Sequence, residues 1–285
     1  MKNLQVLEAT KIQQSTYKLP KKIKNMKIPL LVSVANVTPE VLQRLEAQGV
    51  GVELSYFSYP STLEREDLKE EIQRYKNMLQ GFSQPITMHG AFYDLSMTAR
   101  EPMVVEVARF RIDQSLDIAI ALGIKKLVFH TNYVHSRRPG YKAVWTEKQI
   151  AFWKQFIPKV EAHDLVLHLE NTREEDFSFI KGVLDGLAHP NFKTCYDTGH
   201  SHCFTQAQNK PISWVKGYQE HLAYIHLHSN DGTIDQHIAF TEGTVDFTGF
   251  FEAVRGLEET PYLIIEVASR EDYLTSLEAL KKLGF

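Results

Sequence analysis

The chain has 285 residues, 43% of them hydrophobic, a formal net charge of −3 and two cysteines. The length suits one large α/β domain with a full core, and the slightly acidic balance offers no global basic field for a nucleic-acid partner. Cys195 and Cys203 match neither a redox pair nor a zinc-finger spacing. No apolar run approaches the roughly 20 residues of a membrane helix, and the N-terminus lacks the apolar core of a signal peptide, so a cytoplasmic location is expected.

Residues 1–27 are polar and lysine-rich and read as an arm or lead-in element. From residue 28 onward, short runs rich in β-branched and aromatic residues alternate with amphipathic stretches. The strand candidates are residues 29–35, 50–57, 85–90, 126–131, 165–171, 192–198, 222–229 and 262–268. The helix after the first strand has Thr38 as its cap, Pro39 at its first position and Gly49 as its stop. Further helices are expected over 106–123, over 146–164 with Thr146 as cap, and over the C-terminal tail. Eight strands alternating with helices predict parallel strands joined by helical crossovers, closed as a (β/α)8 TIM barrel, a single domain over 28–285.

Enzymes on this fold place their functional groups at the C-terminal ends of the strands. His89 closes the third strand, His130 the fourth, Glu170 the fifth, Asp197 the sixth, His228 the seventh and Glu266 the eighth. His200 follows Asp197 by three residues, and Asp235 and His237 lie in the loop after the seventh strand. Four converging carboxylates repel unless they are protonated or neutralised. Divalent cations remove the difficulty, and mixed imidazole–carboxylate ligation suits Zn²⁺, Mn²⁺ or Co²⁺. Divalent ions, Mg²⁺ included among the candidates, are therefore expected at the rim. His168 and His226 share the inward faces of their strands with Glu170 and His228 and read as deeper core residues or residues that orient the ligands. His163, His189 and His221 read as solvated.

These motifs, HLEN at 168–171, DTGH at 197–200, HSND at 228–231, DQH at 235–237 and IEV at 265–267, resemble those of the xylose-isomerase-like TIM-barrel superfamily, over about residues 28–285. In its ketose 3-epimerase and sugar-isomerase branch, the resemblance implies one metal on Glu170, Asp197, His228 and Glu266. In its endonuclease-IV-type branch, it implies three zinc ions on His89, His130, Glu170, Asp197, His200, His228, Asp235, His237 and Glu266. The first strand lacks the glycine-rich loop of the endonuclease pattern, and the second, GVELSYF, looks like an epimerase strand bearing a glutamate.

Two chemistries follow. The favoured one is a metal-dependent isomerase or epimerase acting on a small sugar or sugar phosphate: Glu170 and Glu266 move the proton, and His200 bonds the developing enediolate oxygen. The alternative is a metal-dependent phosphoesterase, on abasic-site DNA or a small phosphoester, with a trinuclear site. Nucleic acid is the less favoured substrate because the DNA-gripping loops do not match. Several residues are expected to contact substrate. Arg137, Arg138 and Trp145 lie in the long loop after the fourth strand, where arginines would clamp a phosphate and aromatics stack on a sugar. Glu53 points inward from the second strand. Phe92 and Tyr93 follow His89, and Tyr56, Phe57 and Tyr59 lie near the same mouth.

Overall fold

Each apolar run becomes a strand in the computed structural model, which describes residues 28–136, 138–205 and 210–285. The strands are β1 (Leu30–Val34), β2 (Gly51–Leu54), β3 (Ile86–His89), β4 (Lys126–His130), β5 (Val166–Glu170), β6 (Phe192–Asp197), β7 (Leu222–Leu227) and β8 (Tyr262–Ile265). All neighbours are parallel and the sheet closes in sequence order, β8 returning to β1 with Leu31 beside Ile264. The chain is a TIM barrel formed as one domain. The proposed 1–27 arm lies outside the described residues.

The helices are α1 (Pro39–Gln48), α2 (Pro60–Leu63), α3 (Leu68–Leu79), α4 (Pro102–Leu122), α5 (Tyr141–Lys154), α6 (Ile157–Ala162), α7 (Ser178–Leu187), α8 (His200–Cys203), α9 (Pro211–Tyr218), α10 (Phe250–Arg255) and α11 (Arg270–Leu283). None of the described helices is long and apolar enough to cross a membrane. α1 starts and stops as its sequence predicts: the Thr38 side chain accepts from the Val41 amide, and Gly49 is left-handed at φ 68°.

Two helices differ from expectation. α4 begins at Pro102 rather than at residue 106, because Pro102 sits at the first position where no amide is needed and Glu101 caps the Met103 amide. The stretch expected to run from Thr146 to residue 164 starts a turn earlier, at Tyr141 after a left-handed Gly140, so Thr146 is not a cap. It then breaks before Pro158, whose ring would clash with the carbonyl one turn back, and restarts as α6.

The core has two parts. Outward-facing strand residues pack against the helices in one continuous apolar layer. Inside the barrel, Leu31, Val128, Cys195, Tyr224 and Ile264 form a separate plug. Two residues further along the strands, the inward positions carry Glu53, His89, His130, Glu170, Asp197, His226 and Glu266. The interior thus passes from a dry floor to an ionisable mouth within one step of the two-residue strand period.

Candidate metal centre

The mouth gathers every residue expected as a metal ligand. Glu170, at the end of β5, is buried and lies between three histidines. Its Oε2 is 3.2 Å from His89 Nε2 and 3.4 Å from His130 Nε2, and its Oε1 is 3.3 Å from His200 Nδ1. On the other side of the mouth, Asp235 Oδ2 is 3.2 Å from His200 Nε2 and 2.9 Å from His237 Nε2. Asp197 receives His228, whose Nε2 is 3.0 Å from Oδ2. His228 also stacks on His237 with ring centroids 4.0 Å apart.

Donor atoms within 4.8 Å of one another fall into overlapping groups, among them His89–His130–Glu170, His200–Asp235–His237, His228–His237–Glu266, and Glu170–Asp197–His226–Glu266. Glu170 and Glu266 are each shared between groups.

His226 is the residue that the strand pattern undervalued. It sits one inward position below His228, yet its Nδ1 is 3.2 Å from Glu170 Oε1 and 3.1 Å from Glu266 Oε2. Its Nε2 faces Glu53 Oε2 at 3.1 Å. Its place in the four-residue group is the one expected for His228. The signal was available in the HLH spelling at 226–228, since alternate residues share a face.

Several neighbours fix these side chains. The Asn171 side chain donates to the Asp197 carbonyl and accepts from the Asp197 amide, tying the ends of β5 and β6. Thr198 Oγ1 donates to the His228 carbonyl at 2.7 Å, and Asn230 donates to the Gly199 carbonyl at 2.9 Å. These three are among the letters of HLEN, DTGH and HSND that carry no metal-ligand expectation. Gly199 must be glycine for space: a Cβ there would lie 2.0 Å from His228 Cε1. His237 adopts a left-handed backbone, φ 50°, uncommon for any residue but glycine. It is held between Ile238, which bridges to Ser229, and its own ring bond to the Glu266 carbonyl.

The donor set fits divalent ions on a specific ground. Nδ1 of His89, of His200 and of His237 lies 2.9, 2.9 and 3.1 Å from the backbone carbonyls of Gly90, Asn171 and Glu266. A carbonyl only accepts, so Nδ1 carries the proton and Nε2 of the neutral ring presents its lone pair. In all three that lone pair faces a carboxylate, acceptor against acceptor, unless a proton or a cation lies between them. Glu170 Oε1, Asp235 Oδ1, Glu266 Oε2, His226 Nδ1 and His228 Nδ1 are buried without a hydrogen bond.

Where no cation lies between them, protons take that place. Burial opposes ionisation of Glu170, Asp235 and Glu266, yet the surrounding imidazoles outweigh it and hold all three below the usual carboxylate range. Burial also opposes charging His237, but Asp235 and Glu266 prevail and push it up to about 9. His168 lacks such company: burial drives it down to about 3, and its Nδ1 donates to the Leu127 carbonyl. It is a neutral core residue. His189 and His221 are half-buried and pair with Glu161 and Asp185, whereas His163 is exposed.

A cavity of about 750 Å³ opens over the cluster. His89, His130, His200, Asp235, His237 and Glu266 reach it, as do Phe92, Tyr93 and Tyr59. Glu266 retains 20% side-chain exposure against 1% for Glu170, so Glu266 is the glutamate that meets an incoming molecule.

Other expected contacts lie elsewhere. Glu53 points inward but is buried beneath the cluster, accepting from Tyr224 Oη at 2.7 Å, so it does not touch the cavity. Trp145 is fully buried against Tyr133 and Phe179, because the α5 turn that carries it packs on α7. Arg138 is exposed away from the cavity lining, and Arg137 lies outside the described residues. Tyr56 stacks on Tyr75, and Phe57 is core.

A closed parallel barrel with an acid–imidazole cluster at the C-terminal ends of its strands defines the class of TIM-barrel proteins whose functional groups sit at that rim. Residues 43–283 match the family model described as xylose isomerase-like TIM barrel, and the chain belongs to that family. It is 21% identical over 210 residues to the uncharacterized protein MJ1614 of Methanocaldococcus jannaschii, covering 72% of this chain and 80% of that one. A solved structure of the TTHB071 protein from Thermus thermophilus, soaked with ZnCl2, is 25% identical with a TM-score of 0.72, covering 90% of this chain and 98% of that one. A D-tagatose 3-epimerase-like protein shares the fold, with a TM-score of 0.75 at 17% identity over 90% of this chain and 96% of that one.

Proposed function

We propose that the protein is a metal-dependent isomerase or epimerase acting on a small sugar-like substrate. The observation that carries this reading is the position of Glu266: a partly exposed carboxylate facing an aromatic-walled cavity of small-molecule size, with its inner side against the ligand cluster. The residues that would hold the ions are His89, His130, Glu170, Asp197, His200, His226, His228, Asp235, His237 and Glu266. A divalent ion bound there supplies Lewis acidity to adjacent carbonyl and hydroxyl oxygens, which acidifies the C–H between them. The zinc-soaked relative makes zinc the first ion to test.

Glu266 takes the proton from that carbon. Glu266, the glutamate that reaches the cavity, also returns it, Glu170 holds the ion from beneath, and His200 bonds the oxygen that gains charge. Phe92, Tyr93 and Tyr59 cover the apolar faces of the sugar and narrow the entrance. The test is solvent deuterium incorporation at the carbon next to the carbonyl, followed by NMR across ketoses and ketose phosphates. Incorporation into one of them, lost in Glu266→Gln, supports the reading. No incorporation into any, with metal bound, contradicts it.

A second reading, phosphoester hydrolysis, is favoured by one observation: the donor atoms form separate groups that share Glu170 and Glu266, as a centre of several ions requires. Chelator-sensitive cleavage of bis(p-nitrophenyl) phosphate or of abasic duplex DNA, abolished by His237→Ala, would establish it over the first.

A further inference from the structure

The cavity is not confined to the barrel mouth. It continues past the end of β8 into the gap between α1 and α11, where Arg44 and Arg270 line it. The lining mixes apolar side chains, Val34, Val41, Leu45 and Leu274, with polar ones such as Gln48 and Ser269. Tyr273 Oη donates to Gln48 Oε1 at 2.6 Å, tying the two helices that form the walls.

The charge distribution along this cavity is one-sided. Its lining carboxylates, Asp235 and Glu266, both belong to the inner cluster. Arg65, Arg74, Arg109 and Arg111, elsewhere on the surface, each pair with a carboxylate. Among the described residues, Arg44 and Arg270 form no ion pair within 4.0 Å, as is also true of Arg100, Arg138, Arg173 and Arg255, but of these six only Arg44 and Arg270 line the cavity. Two guanidinium groups on one part of a cavity, and oxygen-binding chemistry on another, complement an elongated molecule with a polyol head and an anionic tail.

We propose that Arg44 and Arg270 form a phosphate subsite, so that the substrate is a phosphorylated sugar whose phosphate lies between α1 and α11 while its hydroxyls face the ligand cluster. The proposal rests on the cavity being the substrate pocket, and names the class of substrate that the pocket takes. It draws on two arginines far from each other in the chain, apart from the loop arginines expected from the sequence.

The test compares binding of D-fructose, D-fructose 6-phosphate and inorganic phosphate to the full-length, zinc-loaded protein by calorimetry, for wild type and for Arg44→Gln/Arg270→Gln. The phosphate ester is expected to bind wild type at least tenfold more tightly than the free sugar, with inorganic phosphate competing. The double variant should lose that advantage while keeping its metal content and melting temperature. Arg44→Lys/Arg270→Lys, which keeps the charge, should restore part of it and serves if the glutamine variant melts early. Equal affinity of wild type for both sugars overturns the subsite. So does an advantage that survives in the double variant, which would place the phosphate on the metal cluster. Binding needs no turnover, so this result stands apart from the deuterium experiment: a phosphate preference without incorporation would reject the isomerase reading and leave the subsite intact.

Discussion

His226 Nδ1 stands 3.1 Å from Glu266 Oε2 while its other nitrogen faces Glu53. The pair links Glu266, one of the two partly exposed carboxylates of the mouth, to a buried acid beneath it. Glu53 is anchored in turn by Tyr224, whose hydroxyl also meets Thr87 Oγ1 at 2.6 Å. This column stands on the apolar floor and gives the cluster a fixed base.

His226→Gln is expected to weaken divalent-ion affinity by about 10- to 100-fold, the usual effect of losing a ligand or its orienting partner. His168→Gln, also on an inward strand position but without a carboxylate, should lower stability and leave ion affinity unchanged. Zinc titration of both variants against a fluorescent chelator separates them; equal ion affinity in both would reduce His226 to a packing residue.

Glu266→Gln preserves shape and removes the proposed base. Turnover is expected to fall by about 10²- to 10⁴-fold, the range for general acid–base groups, with the melting temperature little changed. Steady-state kinetics together with thermal unfolding check it, and near-normal kcat would assign the proton transfer elsewhere.

Gly199→Ala would set a methyl group 2.0 Å from the His228 ring. Overpacking of this kind costs about 1–3 kcal/mol. His228 cannot retreat easily, because its far side stacks on His237. The variant is expected to bind less metal per chain and to melt earlier, measured by elemental analysis and calorimetry. Unchanged values for both would mean that the ring has more room than the packing indicates.

Trp145→Ala should be a stability variant only. Removing a fully buried tryptophan costs about 3–5 kcal/mol, and Trp145 lies outside the cavity lining. Chemical denaturation should show the loss, while KM measured on the folded fraction stays at the wild-type value. A raised KM with normal stability would return Trp145 to the substrate site.

The barrel was legible in the sequence because eight short apolar strands and their terminal ionisable residues announce themselves locally. The gathering of His89, His130, Glu170 and Asp235 could be anticipated because strand ends on this fold meet at one rim. The helix limits of α4 and α5 depended on proline positions and on which aromatic faces the core, which are decided by packing. Trp145 shows the difficulty directly: basic and aromatic neighbours in a long connection suggest a binding loop, but the chain closed that connection early and buried the indole against Phe179. Arg44 and Arg270 were invisible for the opposite reason. They lie on the first and last helices of the barrel, and only closure of β8 onto β1 brings those helices to one cavity.

The most direct test of the whole account is the metal content of the purified chain after equilibration with Zn²⁺, compared with Glu170→Gln. Glu170 joins donor groups on both sides of itself, so the wild type should retain between one and three tightly held ions per chain, and the variant should lose most of them while remaining folded. A wild-type chain that holds no ion after dialysis, or a Glu170→Gln chain that holds as many as wild type, would contradict it.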